Sequence, residues 1–498
     1  MSTRWVVGFV VALSAGAAGF AVSGAADEAA QIEVRFVLAQ NWRAEVRAQF
    51  GGADAVGMAG YGASQFPRGW AQFVRDLRAD DCAGNAVGLV ADEKAARWRV
   101  ERATARLCLS YAVDFEFASK PWPAGNEQAA LRIDDALYTV SKAFVIAPLS
   151  VRDATVRLSA PVGFQIASPW PPAAEAGRYR VADFDRLVAS TLVVSREGPV
   201  SVRVGDTEVL FHSLGARRDT LGEIRRTIGA IIPEHARVFG GKSPSRYMIT
   251  MMPGEPDSEA FADSAGITTP YRQTRETVVD WGNELAHEFF HLWNGLALSA
   301  SPTDAPQGRS AMEWFSEGFT EYYANRSLLR TGLVSPQTYW RMVERHFRNY
   351  YLFQNNPAFA GTSLIGAGAN KGKYRQGVYD GGATLAFVLD VEIAAASGGR
   401  ADLDDVMRRL FDRYAPGKKS FGLAEIVAIL AEVAPGRDWK AFADAYVGGT
   451  ETLPLAATMA SLGFELRVQP YDGRAHLFVL PGADRRALEA RTRYERGW

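Results

Sequence analysis

Residues 287–294 read HEFFHLWN: two histidines four positions apart, with a glutamate directly after the first. Around them, residues 274–295 run TRETVVDWGNELAHEFFHLWNG. Val278, Trp281, Leu285, Phe289 and Leu292 recur at helical spacing and predict a core-facing stripe. Thr274 is a candidate cap for the start, and Gly295 sits where a left-handed residue ends a helix. On that helix His287 and His291 lie one turn apart, with Cβ atoms about 5–6 Å from each other. Two imidazole nitrogens at that separation can converge on one tetrahedral cation through bonds of about 2.0–2.1 Å. Glu288, about 100° further round the helix, can reach a water molecule at that cation without being a ligand itself.

Such a pair needs a third ligand. Residues 309–332, RSAMEWFSEGFTEYYANRSLLRTG, supply a candidate. Ser310 and Glu313 form a capping-box pattern that predicts a helix start, and Gly332 predicts its end. Glu317 falls within this helix among Trp314, Phe315, Phe319, Tyr322 and Tyr323, so it is expected to be buried. A lone buried carboxylate is costly, whereas one bound to a cation is compensated. Glu317 is therefore the expected third ligand of a single zinc ion. Gly318 costs about 1 kcal/mol against alanine inside a helix and so calls for a packing reason. Glu321, one turn on, is a candidate to accept a hydrogen bond from the far nitrogen of a ligand histidine; Asp280 and Glu284 are rivals for that place. His212, His235, His346 and His476 have no partner at ligand spacing and read as structural or surface residues.

Outward from this centre the chain divides by periodicity. IEVRFVL, AEVRAQF, RLCLSYAVDFEF, ATVRLSA and VSVRVGDTEVLFH alternate with period two, which predicts a β-sandwich-like domain over residues 31–210. Helical patterns dominate 211–452, and short alternating strands return over 453–498. The fold class expected is α+β multidomain, with a β-rich N-terminal domain ahead of a mainly helical catalytic one. With 22% charged residues and a net charge of −1, no basic tract recommends a nucleic acid or an anionic membrane surface as partner. Residues 1–26 carry Arg4, the apolar run WVVGFVVALSAGAAGFAV and small residues at Ser23 and Ala25, the pattern of a signal peptide; a retained anchor is the alternative. Export to a periplasmic or extracellular space is expected. There, Cys82 and Cys108, the chain's two cysteines, are expected to close a disulfide, with two unpaired buried thiols as the alternative.

HEFFHLWN followed by WFSEGFTEYYA resembles the gluzincin metallopeptidases, most closely the glycyl aminopeptidase family. FDRLVASTLVV, KYRQGVYDGGATLAFVLDVEI, DLDDVMRRLF and AFADAYVGGTETLPL support the likeness, which covers most of residues 175–465. The resemblance implies a thermolysin-like catalytic domain and a peptide substrate, with a preference for small N-terminal residues. It implies zinc ligands His287, His291 and Glu317, Glu288 as general base, and Tyr374 in KYRQG as the tyrosine facing the oxyanion. It also marks departures. Where related aminopeptidases carry a Gly-rich segment with an amine-gripping glutamate, this chain reads MMPGEPDSEAFADSAGITTP, with Glu259 the nearest candidate. A complete C-terminal PDZ domain is also missing from the pattern. An endopeptidase or oligopeptidase, and a silent peptide-binding envelope protein, are the competing expectations.

Overall fold

The computed structural model describes residues 29–92, 95–215, 220–298, 311–415, 419–469 and 473–497. The expected leader over 1–26 lies outside them. Among the described residues no helix is long and apolar enough to cross a membrane. The described residues form two compact units, one built from 29–215 plus Pro244–Pro270, the other from 220–243 and 271–497.

The first unit is built of three larger sheets and a small one, Ala55–Gly57, Arg97–Val100 and Leu89–Asp92. A six-stranded sheet runs in the order Arg178–Val181, Ala154–Ser159, Ala30–Leu38, Trp42–Gly51, Arg106–Asp114, Val74–Asp80. Its strands alternate as the sequence predicts: Ile32, Val34 and Phe36 point inward while Glu33 and Arg35 face solvent. A four-stranded sheet, Gln165–Ala167, Thr191–Ser195, Ala136–Val140, Ala130–Ile133, lies behind it. ALYTV and TLVVS are buried at every position because both their faces are covered. Leu137, Leu192 and Val194 enter the main core, while Tyr138, Val140 and Val193 pack on Leu210, Met248 and Met252 of a five-stranded sheet. That third sheet runs Val200–Val204, Thr207–Ser213, Arg246–Pro253, Ser264–Thr269, Asp257–Ala260. The expected boundary at residue 210 thus falls inside a strand, and 244–270 pack with the sheets because they supply three of those five strands. Cys82 and Cys108 are bridged, Cα atoms 5.1 Å apart.

The second unit is helical. Its centre is the helix Glu313–Arg330, buried along nearly its whole length. Val278–Phe290 and Gly382–Ala396 pack on it, the latter through glycines. A Cβ on Gly318 would run into the backbone of Gly382, and one on Gly382 into the carbonyl of Trp314. This close crossing is the reason Gly318 stands inside a helix. The expected β segment at the C-terminus is more than that. A hairpin, Phe464–Val468 with Ala475–Val479, is preceded by the helix Leu455–Ser461 and followed by Arg485–Arg496. The charged tail hides one anchor: Tyr494 is fully buried, its hydroxyl bonded to those of Tyr322 and Tyr339, with the Arg326 guanidinium 3.7 Å from its ring.

Candidate metal centre

Val278–Phe290 carries His287 on its last turn and ends so that His291 is the C-cap residue. Gly295, at φ +118°, turns the chain away; a side chain there would press on His291 Nδ1, so glycine leaves the ring its room. Asn294 then stitches this end to the helix Glu313–Arg330, donating to the carbonyls of Phe315 and Ser316 at 3.2 Å each and to Thr320 Oγ1 at 3.1 Å. That stitch brings the two rings over Glu317.

Three donor atoms converge. His287 Nε2 and His291 Nε2 are 3.0 Å apart, and Glu317 Oε2 is 3.3 Å from each. A tetrahedron with bonds of about 2.0–2.1 Å has edges of about 3.3–3.4 Å, so the spacing fits three corners around one zinc. Both Nδ1 atoms point outward to acceptors: His287 to Glu321 Oε2 at 3.1 Å and His291 to the Asn294 carbonyl at 2.9 Å. With Nδ1 protonated toward those acceptors, each Nε2 lone pair faces the centre. Glu288, 5% exposed, also offers an oxygen near both imidazoles. Glu317 is the better third ligand because its oxygen touches both Nε2 atoms.

Charge is arranged to keep the ligand carboxylate ionised. Burial by itself would raise the Glu317 carboxyl, but the Lys371 ammonium and the imidazoles of His291 and His287 outweigh it and hold it well below the usual range. Lys371 Nζ meets Glu317 Oε1 at 2.5 Å and Glu313 Oε2 at 3.6 Å. Burial likewise opposes ionisation of Glu321, yet the hydrogen bond from His287 and the charge of His346 bring it down to about 2. Among the three rivals it is Glu321 that reaches His287. His346, read from the sequence as isolated, stands 3.5 Å from Glu321 Oε1 and 2.8 Å from Asp380 Oδ1. Its partners come from distant segments, which spacing along the chain cannot show.

The tyrosine at the centre is Tyr379. Its ring lies 6.0 Å from that of His287, nearly parallel at 24°, on the wide π-helical turn Gly377–Gly381. Burial and the Glu317 charge push its phenol well up, so it stays protonated. Tyr374, the tyrosine expected from the motif, instead packs on Phe359 and Phe353, centroids 5.1 and 6.3 Å away, with the Lys373 ammonium over its ring. The helical turns between the two tyrosines put only the second beside the imidazoles. Glu259 belongs to the first unit, on the strand Asp257–Ala260, where it is 8% exposed and its charge acts on Lys142.

Residues 282–376 match the family model of the M61 glycyl aminopeptidase, and residues 64–196 that of the M61 N-terminal domain, so the chain carries M61 domains in both halves. The first match spans the histidine pair and Glu317. An aminopeptidase N family protein from Idiomarina loihiensis has the same fold, with a TM-score of 0.73 at 14% identity over 88% of this chain and 79% of that one. An M1 zinc metallopeptidase from Deinococcus radiodurans reaches 0.51 at 15% identity, covering 86% of this chain and 94% of that one. Yeast LTA4 hydrolase reaches 0.53 at 12% identity, covering 86% and 70%. A further structure of the Deinococcus protein holds a Tyr-Ser-Ala substrate. No curated protein sequence matches the chain.

Proposed function

We propose that this chain, with M61 domains in both halves, is an exported zinc peptidase that removes small residues from the N-termini of peptides. One observation carries the zinc reading: three ligand atoms 3.0–3.3 Å apart, with both outward imidazole nitrogens already satisfied. His287, His291 and Glu317 would hold one ion, which when bound polarises a scissile carbonyl and acidifies water. Glu288 takes the proton of the attacking water and passes it to the departing amine. Tyr379 keeps its proton and donates a hydrogen bond to the oxygen on which negative charge develops. Glu321 holds the orientation of His287 throughout.

The aminopeptidase reading draws on the family. Glu259 already acts on the chain's own Lys142 ammonium, so we assign it no role toward a substrate amine. The bridge between Cys82 and Cys108 supports export, since disulfides persist in oxidising compartments.

Metal analysis of the purified protein should find one zinc per chain. Glu288→Gln should keep that zinc and lose on the order of 10²–10⁴-fold in turnover. A set of peptides with free and acetylated N-termini then separates the classes. Cleavage that survives acetylation replaces the aminopeptidase reading with an endopeptidase; wild type no faster than Glu288→Gln on every peptide leaves a peptide-binding protein.

A further inference from the structure

We propose that Lys371 is a positioning residue of the metal centre: its ammonium occupies one oxygen of Glu317, so that the carboxylate presents only the other to the ion. The inference rests on the zinc reading above and concerns a residue for which the motifs assign nothing. The two oxygens of Glu317 are divided between partners. Oε2 faces both imidazoles at 3.3 Å, and Oε1 meets Lys371 Nζ at 2.5 Å. Glu317 and Lys371 are 3% and 5% exposed, so neither exchanges its partner for water.

The division has a chemical consequence. A carboxylate free on both oxygens can chelate, and a catalytic zinc needs its fourth position open. With Oε1 held, Glu317 is confined to one bond, and the corner that chelation would fill stays available to water and substrate. The ammonium also draws electron density from the ligand, which makes the ion a stronger acid toward both. Charge points the same way: Glu313 and Glu317 are close enough for each charge to act on the other, and Lys371 is a buried cation that contacts both. The Lys371 ammonium, 3.6 Å from Glu313 Oε2, also compensates that second buried carboxyl.

Position in the chain adds a second tie. Lys371 lies between the helix Leu364–Ala369 and the turn Gly377–Gly381 that carries Tyr379, with Nζ 5.2 Å from that ring's centroid. One side chain therefore fixes the ligand carboxylate against the segment that brings the phenol to the imidazoles. An apolar residue of similar volume would fill the space without the cost of burying a charge. Packing alone is a poor reason for lysine here.

The test compares wild type, Lys371→Met and Lys371→Leu, each reconstituted with Co²⁺ in place of zinc. Visible absorption reports coordination, because four-coordinate cobalt absorbs strongly and five- or six-coordinate cobalt weakly. Chelator competition reports affinity. Lys371→Met should bind one Co²⁺ with a weakened visible band. Its affinity or kcat should change by on the order of 10–100-fold while KM moves little. If Lys371→Met does not fold, Lys371→Leu, which likewise cannot donate to Oε1, is read the same way. A variant with the wild-type spectrum and the wild-type chelator resistance overturns the proposal and leaves the peptidase reading intact. Wild type that binds neither zinc nor cobalt overturns both.

Discussion

Lys142 in the first unit and Lys371 in the second are both nearly sealed from solvent, at 1% and 5% exposed, and each stands beside two glutamates. Burial pushes Lys142 down to about 8, and the charges of Glu259 and Glu127 oppose it only in part. The same penalty on Lys371 is overturned by Glu317, Tyr379 and Glu313, which hold it well above the ordinary lysine range. The difference is one of contact and of what the carboxylates are doing. Lys371 touches Glu317 Oε1 at 2.5 Å, and that glutamate is held ionised against its burial by the Lys371 ammonium first and by the imidazoles after it. Around Lys142, Glu127 is itself pushed well up by burial and by the charge of Asp257, and both its oxygens lack hydrogen bonds. A carboxyl that resists ionisation is a weak counter-charge. Lys142 has instead the rings of Tyr61 and Phe261, centroids 5.1 and 5.4 Å away. A buried lysine thus reports on the ionisation of its neighbours, and the metal centre is where those neighbours are forced to be charged.

Breaking the stronger pair should give the largest effect. Glu317→Gln removes a ligand and strands the Lys371 ammonium in the interior. Metal and peptidase activity should be lost together, and the metal-free variant should unfold about 3–5 kcal/mol more easily than metal-free wild type. Denaturant unfolding checks the second figure. A zinc-replete, active variant would mean that Glu317 is no ligand and that the contrast drawn above has another cause.

The weaker cluster is sharpened by pH. Lys142 titrates near 10.5 in the unfolded chain and at about 8 in the folded one. Between those values the unfolded state binds the proton and the native state does not, so native stability rises with pH. The group adds about 3 kcal/mol between pH 8 and 10.5, from 2.5 units at about 1.36 kcal/mol each. Lys142→Met should lack that slope, read as the difference between the two proteins' unfolding free energies. Parallel curves would show that Glu259 and Glu127 hold Lys142 as firmly as Glu317 holds Lys371.

What the sequence made legible follows the same division between local and distant. His287, Glu288 and His291 share one turn, and Glu317 with Glu321 share the next helix, so helical spacing was enough to place them. Gly318 announced a close crossing before its partner Gly382 was visible. The KYRQG match points to Tyr374 because it follows a motif, whereas the Gly318–Gly382 crossing sets which tyrosine lies beside His287. The tyrosine three residues before that second glycine is the one carried to the centre. Lys371 and His346 follow no period at all; they meet Glu317, Glu321 and Asp380 through packing of separate segments. Glu259 stands out only by its place in the sequence; the strand Asp257–Ala260 buries it where its charge acts on Lys142.

His235 gives the limiting case, a basic side chain buried with no carboxylate among the described residues to hold its proton. It lies on the helix Leu221–Val238 against Phe289, Phe290 and Trp293, ring centroids 6.0, 5.1 and 6.3 Å away. Neither ring nitrogen has a hydrogen-bond partner among the described residues, and burial drives its pKa down to about 3. The native protein therefore keeps it neutral while the unfolded chain takes up a proton below about pH 6.5. Stability from this group is whole above that value and falls as pH drops toward 3, by about 2 kcal/mol at pH 5. His235→Phe keeps the aromatic packing and removes the titration. Its unfolding free energy should fall less steeply than wild type between pH 6.5 and 5, and that difference is the quantity to measure. Equal slopes would mean that the native protein protonates His235 as readily as the unfolded chain does. Burial without a counter-charge would then not be enough to set the direction, and the reading of Lys142 would fail with it.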